Sequence, residues 1–250
     1  MITQVGGIIY LIAILLISKR KKNYLLKRSI SFVILYSIST FLIVPLIAPL
    51  TGRMKIEDIS RIQSHSFMTK LCNRNYAIKE MHEVITDVSL RLQKEYPGIK
   101  LIYLDANFPF FDGFPLLPHL SHNDGKKIDI AFIYEDQNGL ITNLKKSNSG
   151  YGIYEVPNTL EFDQNKHCKE EGFWQYDFSK HLTFGSINEK LKFSNKANAV
   201  LLNFIIDLPE VEKIFIEPHL KNRLKLSSTK VRFQGCRSVR HDDHIHLQIR

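Results

Sequence analysis

Arg240-His241-Asp242-Asp243-His244-Ile245-His246-Leu247-Gln248-Ile249-Arg250 is the stretch on which the fold turns. From His244 onward polar and apolar residues alternate strictly, the two-residue period of a half-buried strand. The pattern places His244 and His246 on one face and Ile245 and Leu247 on the other, against a core. Two histidines on one strand face make half of a metal site. Paired surface histidines are the plainer alternative.

A second patch carries the other half: Pro118-His119-Leu120-Ser121-His122-Asn123-Asp124-Gly125-Lys126-Lys127-Ile128-Asp129-Ile130. The run Ile128–Tyr134 is rich in β-formers and reads as a strand. Asp129 lies inside it, between two isoleucines. A carboxylate there needs a partner, either a metal cation or a lysine or arginine. His122 stands seven residues earlier, across the turn-formers Asn123, Asp124 and Gly125, so both side chains can approach one point. Together His-x6-Asp and His-x-His supply the three protein ligands of a catalytic zinc, with one histidine to spare. Five of the ten histidines fall in these two patches.

Ser121-His122, Gly125, Asp129-Ile130 and the later His241-Asp242-Asp243-His244-Ile245-His246 resemble the motifs of the penicillin-insensitive murein endopeptidases. These are part of a wider group of zinc peptidases that includes lysostaphin-type enzymes and D-alanyl-D-alanine carboxypeptidases. The segment Pro209–Ile216, with Lys221 beyond it, is similar to the family's stretch upstream of the last motif. The resemblance covers about residues 99–135 and 195–250. It implies that His122, Asp129 and His246 bind Zn2+, with His119 at the metal or beside it as a fourth candidate. It also implies His244 as general base, with His241 as the alternative. Asp242 and Asp243 then either orient those histidines or form a solvated turn. The substrate implied is a peptidoglycan peptide, cut at a crosslink or in a stem peptide. A D,D-carboxypeptidase or dipeptidase of the same group, and a non-catalytic envelope protein that keeps the fold, are the alternative readings.

The first 50 residues differ from the rest. They hold no Asp or Glu, and their basic residues are Lys19, Arg20, Lys21, Lys22, Lys27 and Arg28. The remaining 200 residues carry 28 Lys+Arg against 25 Asp+Glu, so the overall +9 falls to +3 there. A field that weak gives no support for nucleic-acid binding. Two apolar runs, 2–18 and 29–50, flank the basic loop 19–28. A hydrocarbon core of roughly 30 Å needs about 20 apolar residues, so the expectation is a two-helix transmembrane hairpin over residues 1–50. Basic residues stay on the cytoplasmic side, which puts the remainder in the periplasm, anchored to a bacterial inner membrane. The three cysteines, Cys72, Cys168 and Cys236, then lie in an oxidising compartment and allow one disulfide with one thiol left over. Nothing in the sequence points to a protein partner.

Beyond a polar connector, 51–73, residues 74–250 read as one α+β domain with a small antiparallel sheet, the zinc peptidase-like part. Met81, Val84, Ile85, Val88 and Leu92 mark an amphipathic helix over 73–96, stopped by Pro97-Gly98. Strands are expected over 99–106 and 211–216, and helices over 195–208 and 218–226. Asp136-Gln137-Asn138-Gly139 is a turn after which 140–144 pairs back as a hairpin. The phenylalanine-rich loop 107–117 either folds over the core or walls a cleft. The stretch 145–194 has no clear period, and such long stretches often hold site-shaping loops.

Overall fold

A computed structural model describes residues 2–117 and 119–250. The chain begins with a short helix, Gly6–Leu16, and a long one, Tyr24–Thr51. At 1.5 Å per residue the first is about 16 Å long, half of what a bilayer core requires, and the second about 42 Å. The expected pair of spans, 2–18 and 29–50, is therefore corrected: among the described residues one helix is long and apolar enough to cross a membrane. The expected loop 19–28 shortens too, because Lys27 and Arg28 are already helical. Arg28 explains the early stop of the first helix. Its guanidinium donates to the carbonyls of Ile17 (2.9 Å) and Ile14 (3.4 Å), filling acceptors that a helix end leaves open.

The long helix is not uniform. Ser39–Ile43 forms a π-turn just before Pro45, and Ala48–Thr51 tightens to a 3-10 turn. A helix-interior proline cannot donate and crowds the carbonyl four residues back, so the wider turn relieves it. Gly52, at φ 73°, closes the helix. Thr40 is buried and accepts from Asn73 Nδ2 at 3.2 Å, and Tyr36 donates to the Leu71 carbonyl at 2.7 Å. The globular part thus sits directly on this helix.

The strands are β1 (Met54–Lys55), β2 (Ile62–Ser64), β3 (Tyr76–Ala77), β4 (Leu101–Tyr103), β5 (Lys127–Ala131), β6 (Tyr134–Glu135), β7 (Ile141–Thr142), β8 (Lys192–Phe193), β9 (Val211–Phe215), β10 (Val231–Arg232) and β11 (His244–Ile249). The main sheet has six strands in the order β10-β9-β11-β5-β4-β2. Its centre is antiparallel, as expected, but its two outer pairs, β10 with β9 and β2 with β4, are parallel. The sheet is larger than the sequence reading because β2, inside the supposed connector, and β10 are too short to show a period. The expected strand 128–134 divides into β5 and β6, and it is β6 that forms the hairpin with β7 and takes β8 as a third strand, in a sheet of its own.

The helices Lys79–Glu95 and Asn195–Ile206 cover one face of the main sheet. Met81, Val84, Ile85, Val88 and Leu92 from the first, and Leu201, Leu202 and Ile205 from the second, pack on Leu101, Tyr103, Ile128, Ile130, Ile214, Ile245, Leu247 and Ile249. Each such side chain contributes about 1.5–3 kcal/mol by leaving water, so β5 and β11 are held rigidly. The opposite face of β5 and β11 carries Asp129, His244 and His246.

Candidate metal centre

β5 and β11 run antiparallel with His246 opposite Asp129 and His244 opposite Ala131. Facing residues in such a pair have Cα atoms about 4.5–5.5 Å apart. The alternation read from the sequence therefore brings two histidines and the aspartate to one spot. His122 arrives from the loop before β5. It is fully buried, and its Nδ1 donates to the Ala106 carbonyl at 2.6 Å, leaving Nε2 turned to the sheet. Gly125 lets the loop turn back: it takes φ 80°, and its N–H donates to Asn107 Oδ1 at 3.1 Å. A Cβ there would lie 2.4 Å from the buried Arg53 guanidinium. Gly125→Ala should therefore lower stability by about 1–3 kcal/mol through the left-handed backbone and the clash, read as a shifted denaturant midpoint.

Three atoms meet in a triangle. His122 Nε2 is 3.1 Å from Asp129 Oδ1, His246 Nδ1 is 2.9 Å from the same oxygen, and the two nitrogens are 3.1 Å apart. The Ala106 carbonyl can only accept, so a neutral His122 carries its proton on Nδ1 and presents a bare lone pair at Nε2. That lone pair faces a carboxylate oxygen and a second ring nitrogen. One proton on His246 Nδ1 cannot serve both, and all three side chains are buried. A cation fits all three lone pairs at once. Donors at 2.0–2.2 Å from a tetrahedral zinc lie about 3.3–3.5 Å from one another, slightly wider than the triangle here. The donor set therefore fits a first-row divalent metal.

The other groups surround this triangle. Asp129 Oδ2 accepts from Tyr151 Oη at 2.8 Å and is also bonded by His119 Nδ1. His119 thus sits on the outer oxygen of a ligand, within 4.8 Å of His122 and Asp129 through its ring nitrogen. His244 turns Nε2 toward the triangle, 3.6 Å from Asp129 Oδ1, while Asp243 holds its Nδ1. Asp243 also accepts from the Gly152 N–H at 2.6 Å. The His241 ring lies 5.0 Å from that of His244, and the His241 N–H donates to Glu217 at 2.9 Å. Asp242 goes elsewhere: it is paired with Arg240 and fully buried. The solvated-turn reading of the two aspartates does not hold, since both are buried. Nor does the lysine or arginine reading of Asp129, whose bonded partners are histidines and Tyr151.

The charges suit this arrangement. Burial opposes the Asp129 carboxylate, yet the surrounding histidines hold its pKa well below the ordinary value. Burial pulls His246 down to about 4, so its ring is neutral at pH 7, the form that binds metal. Burial also works against a charged His244, but the carboxylates of Asp129 and Asp243 win and hold it up to about 9. His241 is pushed well down by burial and by its histidine neighbours.

Tyr151 escaped the sequence reading, lying in the stretch 145–194. Its one signal is the flanking pair Gly150 and Gly152, both at positive φ, where a Cβ would meet Leu104 and the Ser179 carbonyl. The same stretch supplies Trp174 and Phe178 to a cleft of about 440 Å³ that opens on His119, His241 and His246. A disulfide, Cys168–Cys236, ties this wall to the loop before β11, and Cys72 is free. The phenylalanine-rich loop 107–117 mainly folds inward: Phe108 is buried, and Phe110 packs beside Val44 and Ala48 at the end of the long helix. A larger cavity of about 610 Å³ lies at the β2 edge and contains none of these histidines. No protein-family model matches the chain, and no curated protein matches it.

Proposed function

We propose that the protein is a zinc-dependent peptidase, held to a bacterial inner membrane by its long N-terminal helix, that hydrolyses amide bonds of peptidoglycan peptides on the outer side. The observation that carries the reading is the triangle of His122 Nε2, Asp129 Oδ1 and His246 Nδ1, whose His246 lines a cleft. The long apolar helix and the disulfide support the location, since disulfides persist in oxidising compartments. The peptidoglycan substrate rests on the motif resemblance.

In this reading His122, Asp129 and His246 hold the metal. When bound, zinc supplies Lewis-acid chemistry: it polarises an amide carbonyl and makes a water easier to ionise. The chain supplies the proton transfers. His244 is placed for them, with its Nε2 free of hydrogen bonds and its Nδ1 fixed by Asp243. Its high pKa comes from Asp129 and Asp243. That pull weakens once Asp129 shares its charge with a metal, which returns His244 toward the range of a general base. Tyr151 and His119 hold Asp129 by its outer oxygen, so the inner one keeps its direction, as partners of ligating carboxylates do.

The test is mass spectrometry of crosslinked muropeptides incubated with the zinc-loaded full chain in detergent. Dimers should convert to monomers. Loss of a terminal D-alanine alone would instead indicate a carboxypeptidase, and intact substrate with zinc bound would refute the peptidase reading. His244→Ala should lower kcat about 10²- to 10⁴-fold, the usual worth of a positioned acid–base, with zinc content unchanged. A parallel loss of zinc would assign His244 to the metal instead.

A further inference from the structure

The cleft beside the histidines contains no aspartate or glutamate among its lining residues, and its one lysine or arginine is Arg237. The walls are otherwise largely apolar: Trp174 is 74% exposed, and Leu120 and Phe178 also show their side chains. Arg237 is exposed and has no ion-pair or hydrogen-bond partner among the described residues. Its backbone is nonetheless braced. Cys236 is tied to Cys168, its carbonyl accepts from Gln175 at 3.5 Å, and Ser238 donates to the Gly235 carbonyl at 2.8 Å. Unpartnered surface arginines are common. This one stands on a braced loop and lines the cleft that opens on His246, one corner of the metal triangle, with no carboxylate among the lining residues.

We propose that Arg237 is a specificity-determining residue that binds a free carboxylate of the substrate, so the cleft selects peptides carrying a carboxylate near the hydrolysed bond. The inference deepens the peptidase reading and rests on it for the identity of the substrate. A guanidinium meets a carboxylate with two parallel N–H bonds, which gives direction as well as attraction. A peptide amidated at the same position keeps its shape but loses the charge.

The experiment uses the metal-free full chain in detergent and isothermal titration calorimetry. The probes are a crosslinked muropeptide dimer ending in a free carboxylate and the same dimer with a terminal amide. The acid should bind about tenfold more tightly, the equivalent of one charge-assisted hydrogen bond at about 1.4 kcal/mol per decade. Arg237→Gln should erase that preference while leaving affinity for the amide unchanged, and Arg237→Lys should restore part of it. Equal binding of acid and amide by the wild-type protein, or no binding of either, overturns the proposal. A preserved preference in Arg237→Gln overturns it as well. An Arg237-dependent preference without hydrolysis by the zinc-loaded protein would sink the peptidase reading and leave the carboxylate subsite standing.

Discussion

Asp129→Ala is expected to weaken zinc binding by roughly 10²- to 10³-fold. Structural zinc sites bind with about 10–16 kcal/mol, or about 2.5–4 kcal/mol for each of four ligands, and about 1.4 kcal/mol is a factor of ten. The carboxylate is also the one formal negative charge in the triangle, which adds to its share. Competition against a chromophoric chelator measures the loss directly, and unchanged affinity would dismiss the triangle as the metal site. A second effect needs no metal. In the metal-free protein Asp129 helps to hold His244 up to about 9, against about 6.5 for an unperturbed histidine. A raised folded-state pKa contributes stability that is complete below the unfolded value and lost as pH rises through the folded one. Metal-free wild-type protein should therefore lose stability between about pH 6.5 and 9. Asp129→Ala lowers the His244 pKa and should flatten that decline, measured as denaturant midpoints across the range.

Much of this centre was readable before any coordinates. Strict alternation in His244–Ile249 and the aspartate between Ile128 and Ile130 predict a face shared by His244 and His246 and an inward carboxylate, and the register between β5 and β11 sets His246 opposite Asp129. The period of Met81, Val84, Ile85, Val88 and Leu92 predicted the helix that supports them. Less came through where local pattern is thin. β2 and β10 span three and two residues, too few for any period, yet they enlarge the sheet and make it mixed. The first apolar run looked long enough to span because hydropathy is blind to Arg28 folding back on Ile14 and Ile17. Tyr151 and the Cys168–Cys236 bridge depend on contacts between segments far apart in the chain. The sequence motifs gave His119 as ligand or neighbour, and only the geometry puts its nitrogen on the outer oxygen of Asp129.

An ion pair lies behind the candidate metal triangle. Arg240 donates through Nε to Asp242 Oδ1 at 2.7 Å and makes a second bond to the other oxygen. Its guanidinium lies 3.8 Å above the centre of the Tyr154 ring. Asp242 has no exposed surface, so water does not solvate its charge. Arg240→Met should destabilise the protein by about 3–5 kcal/mol at neutral pH, the cost of leaving one partner of a buried pair alone. Burial already pushes Asp242 up to about 7 even with Arg240 present, and removing the cation raises it further. The variant's aspartate therefore takes up a proton on folding. That contribution is complete below the unfolded carboxylate pKa of about 3.9 and is lost as pH rises through the folded value. The deficit against wild type should shrink at pH 5 and grow above pH 7. Arg240→Met combined with Asp242→Leu removes both charges and should recover most of the loss, because apolar pairs of similar volume replace buried ion pairs at little cost. If Arg240→Met were equally destabilising at pH 5 and pH 8, the loss would come from packing against Tyr154 rather than from the stranded carboxylate. The loop before β11, which carries His241 and Asp243 toward the cleft, would then be held by shape and not by charge.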